Sequence, residues 1–338
     1  MINMLFREKL YLINKEMIKR LYNLINGKRK CYSDMKVQLS NNESRQVQFF
    51  NFWEEPFDEM YWNRWFEARP EILKDNPKMK VGMFSVFGKR DLIHHARCDV
   101  NIFYTAENVK SDSCSVYADN FLNEPMIGLS MGYDYFEHER YCRFPNWIDV
   151  FFNKQDEVAS MCNRLRFPDV SSKTSFASCI CSHDRNGLRS QMIDALSNIG
   201  TVSCPSKFRH NDDSLMNDYG DDKMEYLKSF YFNICPENSN CMGYVTEKLF
   251  QAIYSGCIPI YWGSYNRPEQ EVLNQDAIIL WKKDGDNSEN LKLIRDLVDH
   301  PELMKEFLSQ PRLLPTADEY ILDRLNDVER KIKRIISK

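Results

Sequence analysis

Neither of the glycine signatures common in nucleotide-binding folds, G-x-G-x-x-G or G-x-x-x-x-G-K-[ST], occurs in this 338-residue sequence. A dinucleotide oxidoreductase or a P-loop ATPase therefore loses its main support. No apolar run approaches the roughly 20 residues that cross a bilayer, and the chain opens on no secretory h-region. Positive charge is not in excess: the net charge is −4, so nucleic acid is not an expected partner and any phosphate site must be a local cluster of cations. The eleven cysteines are odd in number and lack metal-ligand spacing, which points to reduced thiols in a cytoplasm. Cys179 and Cys181 would share one face of a strand, where core packing is the plain reading. His94-His95 has no third ligand at useful spacing, and Asp284-Gly285-Asp286 reads as a solvated turn. No metal site is expected from either.

What is present is a globular composition, 43% hydrophobic and 28% charged, on a chain longer than one core comfortably serves, so two domains are expected. Residues 3–27 carry an amphipathic stripe of Leu10, Ile13, Met17, Leu21 and Leu24, closed by Gly27 and the basic Lys28-Arg29-Lys30. Such a helix could lie on an anionic membrane surface or dock on the protein. Residues 317–338 read as a second basic amphipathic tail, with Leu325, Val328, Ile332, Ile335 and Ile336 spaced along it. Residues 31–50 are polar, lack periodicity and read as linker. Between 47 and 69 lies a dense aromatic region (Phe49, Phe50, Phe52, Trp53, Phe57, Tyr61, Trp62, Trp65, Phe66), for which core packing competes with lining a sugar cleft.

Strand-like runs follow at 81–87, 99–104 and 126–130. After Arg164 the rhythm becomes regular: strand 175–181, helix 186–199, strand 201–204, helix 222–230, strand 231–235, helix from Glu247, strand 257–262, strand 277–281, helix 288–299, and a further helix opened by Pro301. Alternating β and α elements predict parallel sheets covered by helices. The expected division is an N-terminal extension and linker (1–46), an N-terminal domain (47–165), a C-terminal domain (166–316) and the tail (317–338), with the site between the two domains.

The segment 230–264 is the most informative. A strand feeds the polar loop Glu237-Asn238-Ser239, a helix opens on Glu247-Lys248, and a second strand ends at Trp262-Gly263. Ligands of open α/β sheets collect beyond the carboxyl ends of strands, at helix N-termini. A lysine on a first helical turn opposes the helix dipole, so Lys248 is better explained by an anion that both attract. The competing reading is a solvated Glu-Lys pair.

This stretch resembles the donor-binding motif of the α1,3/α1,4-fucosyltransferase family, through Glu237-Asn238-Ser239, Tyr244-Val245-Thr246-Glu247-Lys248 and Pro259-Ile260-Tyr261-Trp262-Gly263. Fainter echoes are Phe84-Ser85-Val86-Phe87-Gly88, Phe103-Tyr104-Thr105-Ala106-Glu107-Asn108 and Asn186-Gly187-Leu188-Arg189. Pro236 departs from the pattern, standing where an aromatic residue is common. The resemblance covers roughly residues 80–310. It implies an α/β fold of two Rossmann-like domains facing a central cleft (GT-B architecture), and a bacterial-type, cytoplasmic member without a transmembrane anchor, peripheral on the inner face of the membrane if its basic helices bind there. The implied activity is transfer of fucose from GDP-fucose, with inversion, to the 3- or 4-hydroxyl of GlcNAc or Glc in a β-galactoside oligosaccharide or glycoconjugate acceptor.

Such a transfer needs a cationic clamp for the departing diphosphate, a base for the acceptor proton, and tolerance of positive charge on the sugar. Arg189 and Lys248 are the expected clamp, with no cofactor required and a divalent ion at most stimulatory. Glu107, just past a strand of the first domain, is the expected base; the competing reading is a solvated loop carboxylate. Glu247 would face the donor sugar or ribose, Asn238 and Tyr244 would donate neutral hydrogen bonds, and Tyr219 would touch the nucleotide. Two rivals stand beside this reading: a two-domain glycosyltransferase using another nucleotide sugar, and a catalytically silent glycan-binding protein.

Overall fold

The structure, a computed structural model, describes residues 34, 38–39, 44–53 and 60–337. The expected helix at 3–27 lies outside them. Among the described residues ten strands form two five-stranded sheets, and every strand pairing in both is parallel. The first sheet runs in sequence order: β1 (Val47–Phe50), β2 (Val81–Phe84), β3 (Val100–Tyr104), β4 (Ile127–Gly132) and β5 (Tyr141–Arg143). The second contains β6 (Ser175–Ser178), β7 (Val202–Ser203), β8 (Phe230–Ile234), β9 (Ile258–Tyr261) and β10 (Ile279–Leu280), in the spatial order β10-β9-β8-β6-β7. Its direction of travel reverses between β6 and β8. The strands are near-continuous apolar runs because helices cover both faces.

Eleven α-helices are described: α1 (Tyr61–Glu67), α2 (Glu71–Lys74), α3 (Asn146–Phe151), α4 (Val158–Arg166), α5 (Leu188–Leu196), α6 (Ser214–Asn217), α7 (Lys223–Leu227), α8 (Glu247–Tyr254), α9 (Ser288–Asp299), α10 (Pro301–Ser309) and α11 (Ala317–Ile336). The expected two Rossmann-like halves are present. β1 and β5 were not expected as strands. The aromatic region divides: Phe49, Phe50, Tyr61, Trp62, Trp65 and Phe66 are buried, while Trp53 is 65% exposed.

The carboxyl ends of the two sheets meet. Loops after β3, β4 and β5 touch loops after β8 and β9: Asn108 Nδ2 donates to Ser239 Oγ at 2.8 Å, Arg143 pairs with Glu269 at 2.7 Å, and Trp147 of α3 stacks on Phe250 of α8 with centroids 4.2 Å apart. One apolar cluster runs through both halves.

The tail corrects an expectation. α11 buries Ala317, Ile321, Leu325, Val328, Ile332 and Ile336, a 3–4 spacing that makes one stripe, and it packs on β4, β5, α2 and α4. Arg69 with Glu329 (3.1 Å) and Arg166 with Asp318 fasten it. Its apolar face is consumed inside the protein, so it offers no such face to a membrane. Among the described residues no helix is long and apolar enough to cross one.

Candidate active site

The reversal between β6 and β8 opens a crevice at their carboxyl ends, the usual ligand position of an open α/β sheet. Arg189, in the first turn of α5, is only 5% exposed. Asp184 accepts the main-chain N–H groups of Arg189 (3.2 Å) and Ser190 (2.8 Å), fixing where the helix starts. The guanidinium then spans the crevice, donating to His183 O (3.1 Å), Pro236 O (3.4 Å) and Asn238 Oδ1 (2.9 Å). Pro236, the departure from the motif, thus meets the clamp through its carbonyl, and exposed Asn238 orients the arginine.

On the other wall, Glu237 is 1% exposed. It accepts from Thr246 N (2.7 Å), Thr246 Oγ1 (2.8 Å), Lys248 Nζ (3.3 Å) and Tyr261 OH (3.4 Å), tying the loop to the start of α8 as an N-terminal acid does. Gly263 is required beside it, since a Cβ there would lie 2.7 Å from Glu237 Cγ. Lys248 Nζ also donates to Thr246 Oγ1 at 2.8 Å and lies 3.6 Å from Glu247 Oε1. Burial opposes its charge, but Glu247 and Glu237 outweigh that and hold the ammonium above its ordinary pKa. Burial likewise disfavours the Glu247 carboxylate, yet Lys248, a backbone N–H and Lys223 bring it below the usual range.

Between these walls lies a cavity of about 100 Å³ whose lining includes Arg189, Lys223, Pro236, Glu247, Lys248 and Gln251. That is well short of the roughly 300 Å³ or more of a drug-sized site, so it takes a fragment the size of a phosphate group and leaves the rest of a ligand in the open cleft. Three cations facing one small cavity suit an anion with several oxygens.

Glu107 enters from the first half. Thr105 Oγ1, at the end of β3, accepts from Glu107 N at 3.0 Å and donates to Glu107 O at 3.1 Å, a turn that aims the glutamate into the cleft. Burial pushes its carboxyl up; Lys248 opposes this, Glu247 and Glu237 reinforce it, and a hydrogen bond with Tyr244 opposes it. Glu107 of the first half thus lies within electrostatic reach of Lys248, Glu247 and Glu237 of the second. Tyr244 is 2% exposed; burial and the surrounding carboxylates keep its phenol protonated, a neutral donor. Tyr133 packs against it edge-on at 5.2 Å and donates to Asn108 Oδ1 at 2.6 Å.

Tyr219 does not line the cavity; it is partly exposed and meets Tyr226 edge-on at 5.7 Å. Sequence reasoning missed Lys223 and the buried role of Glu237. The signal for Lys223 was the one used for Lys248: a lysine on a first helical turn, here capped by Asp222, whose Oδ1 accepts from Met224 N and Glu225 N at 3.0 Å.

Two family models match. "Glycosyltransferase family 10 (fucosyltransferase) C-term" covers residues 170–310, and "Alpha-(1,3)-fucosyltransferase FucT N-terminal domain" covers residues 47–150. Among curated relatives, the Helicobacter pylori alpha-(1,3)-fucosyltransferase FucT is 28% identical over 192 residues, 48% of this chain and 37% of the relative. The Drosophila melanogaster alpha-(1,3)-fucosyltransferase B is 32% identical over 33% of this chain and 26% of the relative. An Arabidopsis thaliana alpha-(1,4)-fucosyltransferase is 33% identical over 24% and 20%. The matched segment thus spans about a third of the first relative's length. A crystal structure of an alpha1,3-fucosyltransferase with GDP-fucose superposes with a TM-score of 0.55 at 20% identity, over 86% of this chain and 90% of that one. One without ligand gives 0.56 at 20% identity, over 88% and 92%; these likenesses establish the GT-B fold. Matched by an N-terminal and a C-terminal model in its two halves, the chain belongs to glycosyltransferase family 10.

Proposed function

We propose that this protein transfers L-fucose from GDP-fucose, with inversion, to the 3-hydroxyl or the 4-hydroxyl of a GlcNAc or Glc unit in a β-galactoside glycan. The observation that carries the reading is the cavity lined by Arg189, Lys223 and Lys248, with a Glu107 carboxyl of raised proton affinity from the other half within electrostatic reach of Lys248. Glu107 takes the acceptor hydroxyl proton as that oxygen attacks the anomeric carbon. The C–O bond to the diphosphate breaks on the far side, and its electrons leave with GDP, where three cations receive the charge. A base on one side of the sugar and a clamp on the other make a single displacement, hence inversion. Glu247, held ionised, offsets positive charge on the fucose ring, and Tyr244 and Asn238 supply neutral contacts.

The donor assignment is supported by the crystallised neighbour whose bound ligand is GDP-fucose. The chemistry needs no metal in this scheme, because side chains already provide the positive charge. The ten described cysteines are free thiols, which suits a reducing cytoplasm. Incubation with a panel of labelled nucleotide sugars, in excess chelator, tests the proposal: fucose from GDP-fucose should appear on a glycan array read by mass. Turnover with UDP-sugars but not GDP-fucose would reject it, and transfer abolished by chelator would reject the metal-free scheme.

A further inference from the structure

Five of the six tryptophans are buried: Trp62, Trp65, Trp147, Trp262 and Trp281 are each at most 9% exposed. Trp53 is the exception at 65%, and beside it Phe87 is 41% exposed. Their rings meet edge-to-face, centroids 5.1 Å apart at 77°. Two exposed aromatics in contact make an apolar patch, which is more informative than a single exposed ring.

The pair is held in place. Beyond the ends of β1 and β2 the two chains stay hydrogen-bonded, Ser85 N to Phe50 O at 3.0 Å and Phe87 N to Asn51 O at 2.8 Å. Asn51 turns the chain with a left-handed φ of 59°, and its Nδ2 donates to Lys89 O at 2.9 Å. Gly88 admits the contact, for a Cβ there would fall 1.9 Å from Asn51 Oδ1. The backbone that carries Phe87 is therefore fixed, and Trp53 follows two residues after the Asn51 turn and packs on the Phe87 ring. The Phe84–Gly88 stretch, which the donor chemistry leaves unused, has this as its local role.

Position decides the occupant. β1, β2 and β3 are neighbours in one parallel sheet, so the loops carrying Trp53, Phe87 and Glu107 stand side by side on its carboxyl rim. At about 4.8 Å per strand they are one and two strands from the base, about 5 and 10 Å along the rim. The β4 and β5 side of the rim makes contacts with the second half, while on the β1–β2 side Trp53 and Phe87 are exposed. A glycan whose one hydroxyl meets Glu107 can extend along the rim toward these exposed aromatics.

We infer that Trp53 and Phe87 form a stacking platform for an acceptor sugar ring lying beyond the one that receives fucose. The C–H bonds of a pyranose's apolar face meet the negative face of the indole, and an edge-to-face contact with Phe87 occupies at most one of its two faces. This rests on the glycan-acceptor reading above and adds the subsite that reads acceptor length.

Two measurements test it on the full chain. Acrylamide quenching of tryptophan fluorescence, with GDP present, should fall when a tetrasaccharide of two N-acetyllactosamine units is added, and the protection should vanish in Trp53→Phe. In transfer assays, Trp53→Ala and Phe87→Ala should raise the KM of the tetrasaccharide roughly five- to tenfold, the loss expected of one aromatic contact. The KM of the N-acetyllactosamine disaccharide should rise less, with kcat, GDP affinity and melting temperature unchanged. An unchanged tetrasaccharide KM in both variants, or a loss that follows GDP affinity or thermal stability instead, overturns the platform. Should the wild-type protein transfer no fucose, the activity reading fails by itself, and the quenching experiment still decides whether Trp53 covers a sugar.

Discussion

Glu107 sits among charges that pull its proton affinity in both directions, with burial dominant and upward. A base works only when ionised, so kcat/KM should rise with pH along a limb set above the ordinary glutamate value near 4.5; a pH–rate profile checks this. The same shift has a stability sign. A carboxyl with a raised folded pKa destabilises the fold progressively as pH climbs from the unfolded value through the folded one. Glu107→Gln should therefore melt no lower than the parent at pH 7 while transfer falls by about 10²–10⁴-fold and GDP binding persists. Arg189 is a separate case. Its planar fork bridges two loops and faces the cavity, so Arg189→Lys should already weaken GDP about tenfold or more by calorimetry, a lysine being unable to reproduce a bidentate grip. Unaltered GDP affinity in that variant would remove the clamp.

Among the elements, the β8–α8–β9 unit was legible in the sequence because its two apolar runs flank a polar loop and its helix opens on an anomalous lysine. The strand boundaries expected at 231–235 and 257–262 differ from Phe230–Ile234 and Ile258–Tyr261 by one residue at each end. β1 was hidden because Val47–Phe50 lies in an aromatic stretch with no alternation, and its pairing with β2 is 34 residues away at Val47–Val81. β5 has three residues and ends on a charged Arg143, whose partner Glu269 is 126 positions later. α11 announced its buried stripe but not what would bury it, since an amphipathic pattern is silent about its partner. Six buried side chains, up to roughly 1.5–3 kcal/mol for each large aliphatic, hold the helix on the protein. Glu329 reports on that docking. Burial disfavours its charge, but Lys333, Gln155 and Arg69 hold the carboxyl down at about 2. The stability it confers is complete above the unfolded value near 4.5 and is lost as pH falls toward 2. Glu329→Gln should thus lower the melting temperature at pH 7, with the gap to the parent closing in acid.

At the scale of the molecule, the two halves are joined by more than a linker. Arg143 and Glu269 form an ion pair across the cleft, with side chains 4% and 0% exposed, and Arg143 also donates to Tyr320 OH at 2.6 Å. Arg143→Ala would strand a buried carboxylate, at a cost of about 3–5 kcal/mol in denaturant unfolding. Removing Glu269 as well should recover part of that loss; no recovery would mean the pair is not coupled. The two parallel sheets were readable from the order of elements. Which aromatics stayed in solvent was not, because Trp53 and Trp62 look alike until the fold separates them.

The embrace of the first half by α11 bears on how the protein is made. A ribosome delivers β1 to β5 long before residues 317–336 emerge, so the nascent first half must wait, one flank of its core bare, while some 170 further residues are synthesised. During that interval the second half can fold around its own sheet, and completion of the earlier-born half comes last. Ribosome-bound chains stopped short of α11 should accordingly depend on chaperones or be cut by proteases within residues 47–166.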